Sequence, residues 1–287
     1  VPDLDYYTKK REQEADKADK DTALQVRVLQ GLGYTAVIEW AMQSLEIEDG
    51  KIKASAKNLG KVSTLYRILS EWQAKYKGTM LGKVLDWAGR IFEANDDFFG
   101  IENDVPETLA QKAAKEALFR WGYDGKNLLP GSYFEYLFNN QVIAQRVAGL
   151  ANQAISQGIS LAEFQKTFKS VFVGKPGSGM LERHWKTNSF DLFMRIDRTA
   201  HLIYANELGL NWAIYSGTLE TDSRPFCIER VNKVFNRDEI EGWRLLEWAG
   251  KPKIGYDPLT DCGGYNCRHH LSFISDGLAK KLKLKQK

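Results

Sequence analysis

Three observations predict a mainly α fold, in which a helical N-terminal region is followed by a small α+β C-terminal domain. Apolar residues recur at helical spacing through the first two thirds of the chain, as in Leu29, Leu32, Ala36 and Trp40. Apart from one short hairpin signal, strand-like composition is confined to the stretch after Trp212. All three cysteines lie in two turn-like segments near the C-terminal end, DSRPFC (222–227) and CGGYNC (262–267).

The helical reading begins with residues 1 to about 45. KKREQEADKADKD mixes both signs of charge, and Glu14 with Lys17 and Asp16 with Lys20 fall at helical pair spacing. Such a run reads as a solvated helix face, or as an arm that orders against a partner. Gly31 and Gly33 mark a bend or a close approach. LEIEDGKIK (45–53) alternates around Asp49-Gly50, a hairpin turn signal, with a loop between helices as the alternative. Helix resumes over 59–76 on Leu65, Ile68, Leu69 and Trp72, breaks near Gly78, and continues over 84–92.

Pro106 suits the first turn of a second helical group that runs to about Phe172. GYDGKNLLPGSY (122–133) is a connection within it. Val142, Val147, Leu150 and Ala154 give a clean helix, after which Gly158 stops one helix and Ser160 with Glu163 forms the capping box of the next. GKPGSG (174–179) lacks the order of a phosphate-cradling loop and reads as a hinge. One long helix is expected over 182–208, with Phe193, Ile196, Ala200 and Ile203 on its apolar stripe and Arg195, Thr199 and Asn206 on a polar one, Arg198 beside it. Strands are expected over 212–219 and 233–235, and a short helix over 238–248. The domain boundaries that follow are 1–105, 106–173, 180–276 and a basic tail, 277–287. The tail's lysines, Lys280, Lys281, Lys283, Lys285 and Lys287, are expected to stay mobile unless bound, and are candidates for non-specific contact with DNA phosphate.

Composition bounds the function. An apolar fraction of 43% and eight tryptophans indicate packed cores or flat contact surfaces. The net charge of +3, from 40 basic and 37 acidic side chains, is too balanced to mark a nucleic-acid binder by itself. Three clustered cysteines fit a reducing compartment better than a disulfide framework. No apolar run of membrane-spanning length occurs, and VPDLDYYTKK does not read as a signal peptide. The missing initiator Met implies numbering that begins after processing or trimming.

The chemistry-bearing residues are Cys227, Cys262, Cys267, His269 and His270. Together they could take one zinc ion, which wants four nitrogen or sulfur ligands. Adjacent His269 and His270 would not both reach it, because successive residues of an extended strand face opposite ways. The alternatives are reduced thiols packed as small apolar groups, and a disulfide. Arg198 with Asp222, and Arg224 or Arg268 with Asp261, are candidate buried ion pairs that would pin the loops to the long helix.

Taken in order, Arg198-Thr199 with Asn206, then Trp212, then Asp222-Ser-Arg224-Pro-Phe-Cys227, then Asp261 and Cys262-Gly-Gly-Tyr-Asn-Cys267-Arg268-His269 resemble the phage Mu F-like head morphogenesis family, the minor head or minor capsid proteins. The resemblance covers residues 140 to 275. Where the family pattern often has an acidic residue soon after the Arg-Thr pair, Ala200 and His201 stand here. The resemblance implies that the small C-terminal domain is Mu F-like. It also implies a protein made in the host cytoplasm and carried in the virion inside the capsid near the portal vertex. Its partners would be the portal protein or the major capsid protein, and its role head assembly, DNA packaging or DNA delivery. No membrane is implied.

An enzyme is not expected. HExxH, nucleophile-elbow and Walker motifs are absent, and the HxE of zinc deaminases is missing. The alternatives kept beside the structural reading are a zinc-containing nucleic-acid-binding module and a metal-dependent hydrolase or transferase carried in the virion. A Cys227–His270 thiol–imidazole pair would belong to the latter.

Overall fold

The computed structural model describes residues 2–101, 103–138, 141–175, 178–189 and 191–286. The chain is mainly helical, with a small α+β region toward the C-terminus. It divides into two compact units whose segments interleave: one joins Val1–Asp19, Leu85–Phe134 and Asp191–Lys287, the other Lys20–Val84 and Glu135–Phe190. The sequential boundaries expected from composition do not coincide with these units, because two long helices give their two halves to different ones. Among the described residues no helix is long and apolar enough to cross a membrane.

Those helices are α1 (Pro2–Ser44) and α3 (Val62–Gly100). Neither is interrupted at its glycines. The break expected near Gly78 is absent, since Leu65, Leu69, Trp72, Tyr76, Met80 and Val84 are all buried at helical spacing across it. An interior glycine costs only about 1 kcal/mol against alanine, less than this stripe gains. At Gly33 the glycine has a packing reason: a side chain there would come within 2.6 Å of the Trp72 ring. Trp72 in turn donates its indole N–H to the carbonyl of Leu29 at 2.9 Å.

The second unit contains the expected hairpin, β1 (Ile47–Glu48) and β2 (Lys51–Ile52), antiparallel across Asp49 and Gly50, both at positive φ. It also holds α2 (Ala56–Gly60), α6 (Gln141–Gln157), α7 (Leu161–Phe172) and α8 (Met180–Asn188). The Ser160 hydroxyl caps α7, accepting from the Glu163 N–H at 3.1 Å. Phe164 and Phe168 stack, and Phe172 meets Trp72 edge-on. Pro176 and Gly177 of the expected hinge lie outside the described residues. Beyond them the Gln30 carboxamide oxygen accepts the Leu181 and Glu182 N–H groups and so caps α8.

The first unit is built on α4 (Glu107–Trp121), which packs against α9 (Leu192–Glu207). The short α5 (Tyr133–Phe138) begins in this unit and ends in the other. The single helix expected over 182–208 is two, because Asp191 takes a left-handed conformation (φ 60°) that an α-helix cannot continue through. After α9 come β3 (Trp212–Ser216), α10 (Pro225–Ile228), β4 (Val234–Asn236) and α11 (Arg237–Glu241), a 3-10 turn (Gly242–Leu245), then α12 (Pro258–Asp261), β5 (His270–Ile274) and α13 (Asp276–Gln286). The short helix expected over 238–248 is therefore α11 and its 3-10 extension. Its start is fixed by a capping box between Asn236 and Glu239. The sheet is antiparallel in the order β4-β3-β5, with Tyr215 opposite Leu271 and Ser216 opposite His270.

Two charged segments depart from expectation. The basic tail is the helix α13, not a mobile end: Leu278 and Ala279 are buried with Val234 and Ile274, and Leu4, Trp212, Ile214 and Leu282 pack on them. Apolar burial supplies the ordering that a charge count alone does not reveal. In the N-terminal charge run, Arg11 is fully buried. Its guanidinium meets the Asp197 carboxylate in a two-pronged pair at 2.9 and 2.7 Å, with both side chains out of solvent.

Removing one partner of a buried pair strands the other charge. Arg11→Met should lower the unfolding free energy in urea by about 3–5 kcal/mol, whereas Arg11→Met/Asp197→Leu should recover most of that loss.

Candidate metal centre and its polar frame

Helix α9 is buried along nearly its whole length, with only Arg195 half-buried between Leu192 and Ala205. Its ionisable side chains must therefore find partners within the protein. Arg198 does so through main-chain carbonyls. It donates to Thr260 at 3.3 Å, to His269 at 2.6 Å and to Cys267. The expected Arg198–Asp222 ion pair is not formed, because Asp222 is exposed to solvent and the guanidinium is already engaged by the C-terminal turn. Arg224 also binds main chain, at the Tyr265 carbonyl, and Arg268 is exposed, so neither pairs with Asp261. Asp261 pairs instead with Arg195 at 3.5 Å and accepts the Asp257 N–H at 2.8 Å. Thr199 is buried, while the Asn206 side-chain oxygen accepts from Arg237 at 2.8 Å. Trp212 lies in β3 beneath the Lys283 ammonium, 4.3 Å from its ring centroid. Lys283 also sits 3.6 Å from Glu239, and Lys280 and Lys281 are exposed. The side chain of Lys285, and Lys287, lie outside the described residues.

The turn held by Arg198 brings the sulfurs together. Its folding requires glycine: Gly264 has φ 90°, and a side chain there would strike the carbonyl of Gly250 at 2.2 Å. Cys227, on α10, and Cys267 approach to 3.9 Å between sulfurs, and Cys267 Sγ lies 3.7 Å from His269 Nδ1. Cys227, Cys267 and His269 are all buried and together can hold a metal ion. A disulfide is not present: all three cysteines are free, and the 3.9 Å separation is far beyond a bond of about 2.05 Å.

Two of the five expected ligands fall outside this group. Cys262 is buried but does not belong to it. Its backbone stands at φ 51° and ψ −116°, and its carbonyl accepts from Tyr256 Oη at 2.7 Å. His270 is one strand position on from His269 and belongs to the opposite face, 3.8 Å from Glu12.

The electrostatics separate the two near sulfurs. The contact with Cys227, together with His269 and Arg198, holds Cys267 well below the usual thiol range despite its burial. The same contact and burial push Cys227 up. Burial raises Cys262 to about 12. The Gly263 N–H adds a further donor to Cys267 Sγ at 3.2 Å.

A second polar network lies along the free edge of β5. His201 Nε2 accepts the Phe273 N–H at 3.0 Å and Nδ1 meets Asn95 at 2.7 Å, while Asn95 donates to Asp197 at 2.9 Å. Burial, then the Arg11 charge and His270, keep His201 well below its ordinary value, so the ring is neutral. Burial, with Arg11, Arg198 and His269 beside it, does the same for His270. Glu12 lines a cleft of about 440 Å³ with Thr8, Ser216, Gly217 and Asn232. Arg11, Asp197 and Glu12 were hidden from sequence reading inside a charge run and an apolar stripe. Tyr215, against the sulfurs, reads there as an ordinary strand aromatic. The only available signal was that Arg11 stands at helical spacing from Ala15 and Ala18, both buried.

Burial raises Glu12 from 4.5 to about 7, with Asp197 and Asp16 adding to the rise and Arg11 and His269 opposing it. Between those pH values the folded chain holds a proton that the unfolded chain has lost, so this group makes stability fall as pH rises. Glu12→Gln should match the parent near pH 4 and exceed it above pH 7 by up to roughly 3 kcal/mol in urea unfolding. The slope that remains belongs in part to Asp19 and Asp191, which burial raises to about 7 and about 6.

No protein-family profile, curated protein or solved structure matches the chain.

Proposed function

We propose that the chain is a structural minor head protein of a tailed bacteriophage, held at the portal vertex or the inner capsid face and serving head morphogenesis, DNA packaging or DNA delivery. The observation that carries this reading is the closure of the Cys267 turn upon the Arg198 helix, with the Cys227 turn meeting it sulfur to sulfur. These are the segments on which the head-protein resemblance rests, and as one enclosed unit they make a rigid docking module.

Zinc is the metal the module takes. Zinc–sulfur bonds of about 2.3 Å and zinc–nitrogen bonds of about 2.0 Å at tetrahedral angles set donor separations of roughly 3.8 Å and 3.5 Å. The 3.9 Å between sulfurs and the 3.7 Å from Cys267 to His269 fit that frame. The group is buried, which suits an ion that fixes a fold rather than one that meets a substrate. The partners are the portal or the major capsid protein. Exposed Lys280 and Lys281 offer a salt-sensitive contact to packaged DNA.

Particles of a phage that encodes this chain should contain it at a low, fixed copy number per head. Particles that lack it, yet package and deliver DNA, would end the reading. Metal analysis of purified chain should give about one zinc per molecule, and Cys267→Ser should lose it together with thermal stability.

A further inference from the structure

A three-donor group leaves one tetrahedral corner to be filled, and a structural zinc site fills it from the protein. Besides the two sulfurs and the imidazole nitrogen, a side-chain oxygen stands close to both sulfurs. The Tyr215 hydroxyl lies 3.3 Å from Cys227 Sγ and 3.6 Å from Cys267 Sγ. A zinc–oxygen bond of about 2.0 Å opposite a zinc–sulfur bond of about 2.3 Å sets an oxygen–sulfur separation of roughly 3.5 Å. The separations of 3.3, 3.6, 3.7 and 3.9 Å match four of the six edges of such a tetrahedron, and Cys227 and His269 lie within 4.8 Å of each other.

Resting on the zinc reading above, we propose that Tyr215 is the fourth protein ligand, which makes this a closed centre of two thiolates, one imidazole and one phenolate.

The surroundings hold that oxygen in place. Tyr215 is fully buried. Its ring stacks on His269 at 5.3 Å and 15°, and meets Phe226 and Trp243 edge-on, so the hydroxyl has little room to turn away. Its strand register is fixed opposite Leu271, one residue beyond His270. Gly263 leaves the space beside the donors open. A side chain there would come within 2.6 Å of Cys227 Sγ, 2.9 Å of Cys267 Sγ and 3.3 Å of Tyr215 Oη.

On binding, Zn²⁺ gains two sulfur bonds, one nitrogen bond and one oxygen bond. Cys227, Cys267 and Tyr215 bind as anions, and the protons they give up pass to solvent. The dication with three anionic ligands leaves one net negative charge, which the Arg198 guanidinium, bonded to the carbonyls on either side of Arg268, offsets. Ligation by a cation overrides the burial that otherwise keeps a phenol protonated.

The test is zinc titration of the full chain, freed of metal by chelator, followed by near-ultraviolet difference absorption and by competition with a chelating dye. One zinc per chain, with growth of a tyrosinate band that Tyr215→Phe abolishes, and an affinity at least tenfold weaker in that variant, would establish the ligand. One zinc per chain with no tyrosinate band and an unchanged affinity in Tyr215→Phe would overturn it while leaving the metal centre standing. No stoichiometric zinc at all would remove the centre and this ligand with it. Should Tyr215→Phe fail to fold, the band in the unaltered chain still decides, since its presence or absence does not depend on the variant.

Discussion

A helix enclosed on every side cannot leave its polar groups to water, and α9 carries three within five positions: Asp197, Arg198 and His201. Each reaches a different part of the chain, and Asp197 and His201 also share Asn95. Asp197 takes Arg11 from α1, Arg198 takes the carbonyls of the C-terminal turn, and His201 takes the main chain of β5 and Asn95 from α3. At helical spacing, positions 197 and 201 lie on one face, where Asn95 bridges them, and 198 points to another. One enclosed helix thereby fixes three neighbours by groups that are costly to leave unpaired. The hydrophobic contacts around it are less directional; these polar contacts set which segment goes where.

The placement of the sulfurs follows from one of those three links. By holding the carbonyls of residues 267 and 269, Arg198 sets the extended path into β5. Alternation along an extended chain then gives Cys267 and His269 to one side and His270 to the other. The imidazoles of His269 and His270 face different groups: His269 meets the Cys267 sulfur, and His270 lies 3.8 Å from Glu12. The arginine thus acts on the cluster through the backbone, without touching a sulfur through a side-chain bond of its own.

Sequence periodicity was enough for α1, α6 and α7, for the hairpin around Asp49-Gly50 and for the strand at 212, because each is written in local spacing. It failed where a distant contact decided the outcome. Asp191 breaks an otherwise helical run, and its carboxylate receives the Asn266 N–H, 75 positions on. Arg11 looks like any member of a charged run until Asp197 is placed beside it. Of the five proposed ligands, Cys227, Cys267 and His269 come together through a contact between segments 40 positions apart, which the glycines of the 262–267 turn do not announce. Cys262 could not be excluded by spacing, since only its backbone angles set it apart. Asp222, Arg224 and Arg268 had the charge for ion pairs, but two of them are left facing solvent and Arg224 is claimed by a peptide carbonyl, and no residue-type rule distinguishes those fates in advance.

The interleaved build of the first unit has a bearing on how the protein comes into being. Arg11 emerges from the ribosome 186 residues ahead of its carboxylate partner, and the strand that completes the sheet ends at Ile274. The helix that carries Arg11 must wait through that interval with a cation and an apolar stripe whose partners are not yet made. Completion of this half of the molecule is consequently a late, concerted event, and a nascent chain stalled short of the last strand would expose that stripe to chaperones or to its own neighbours.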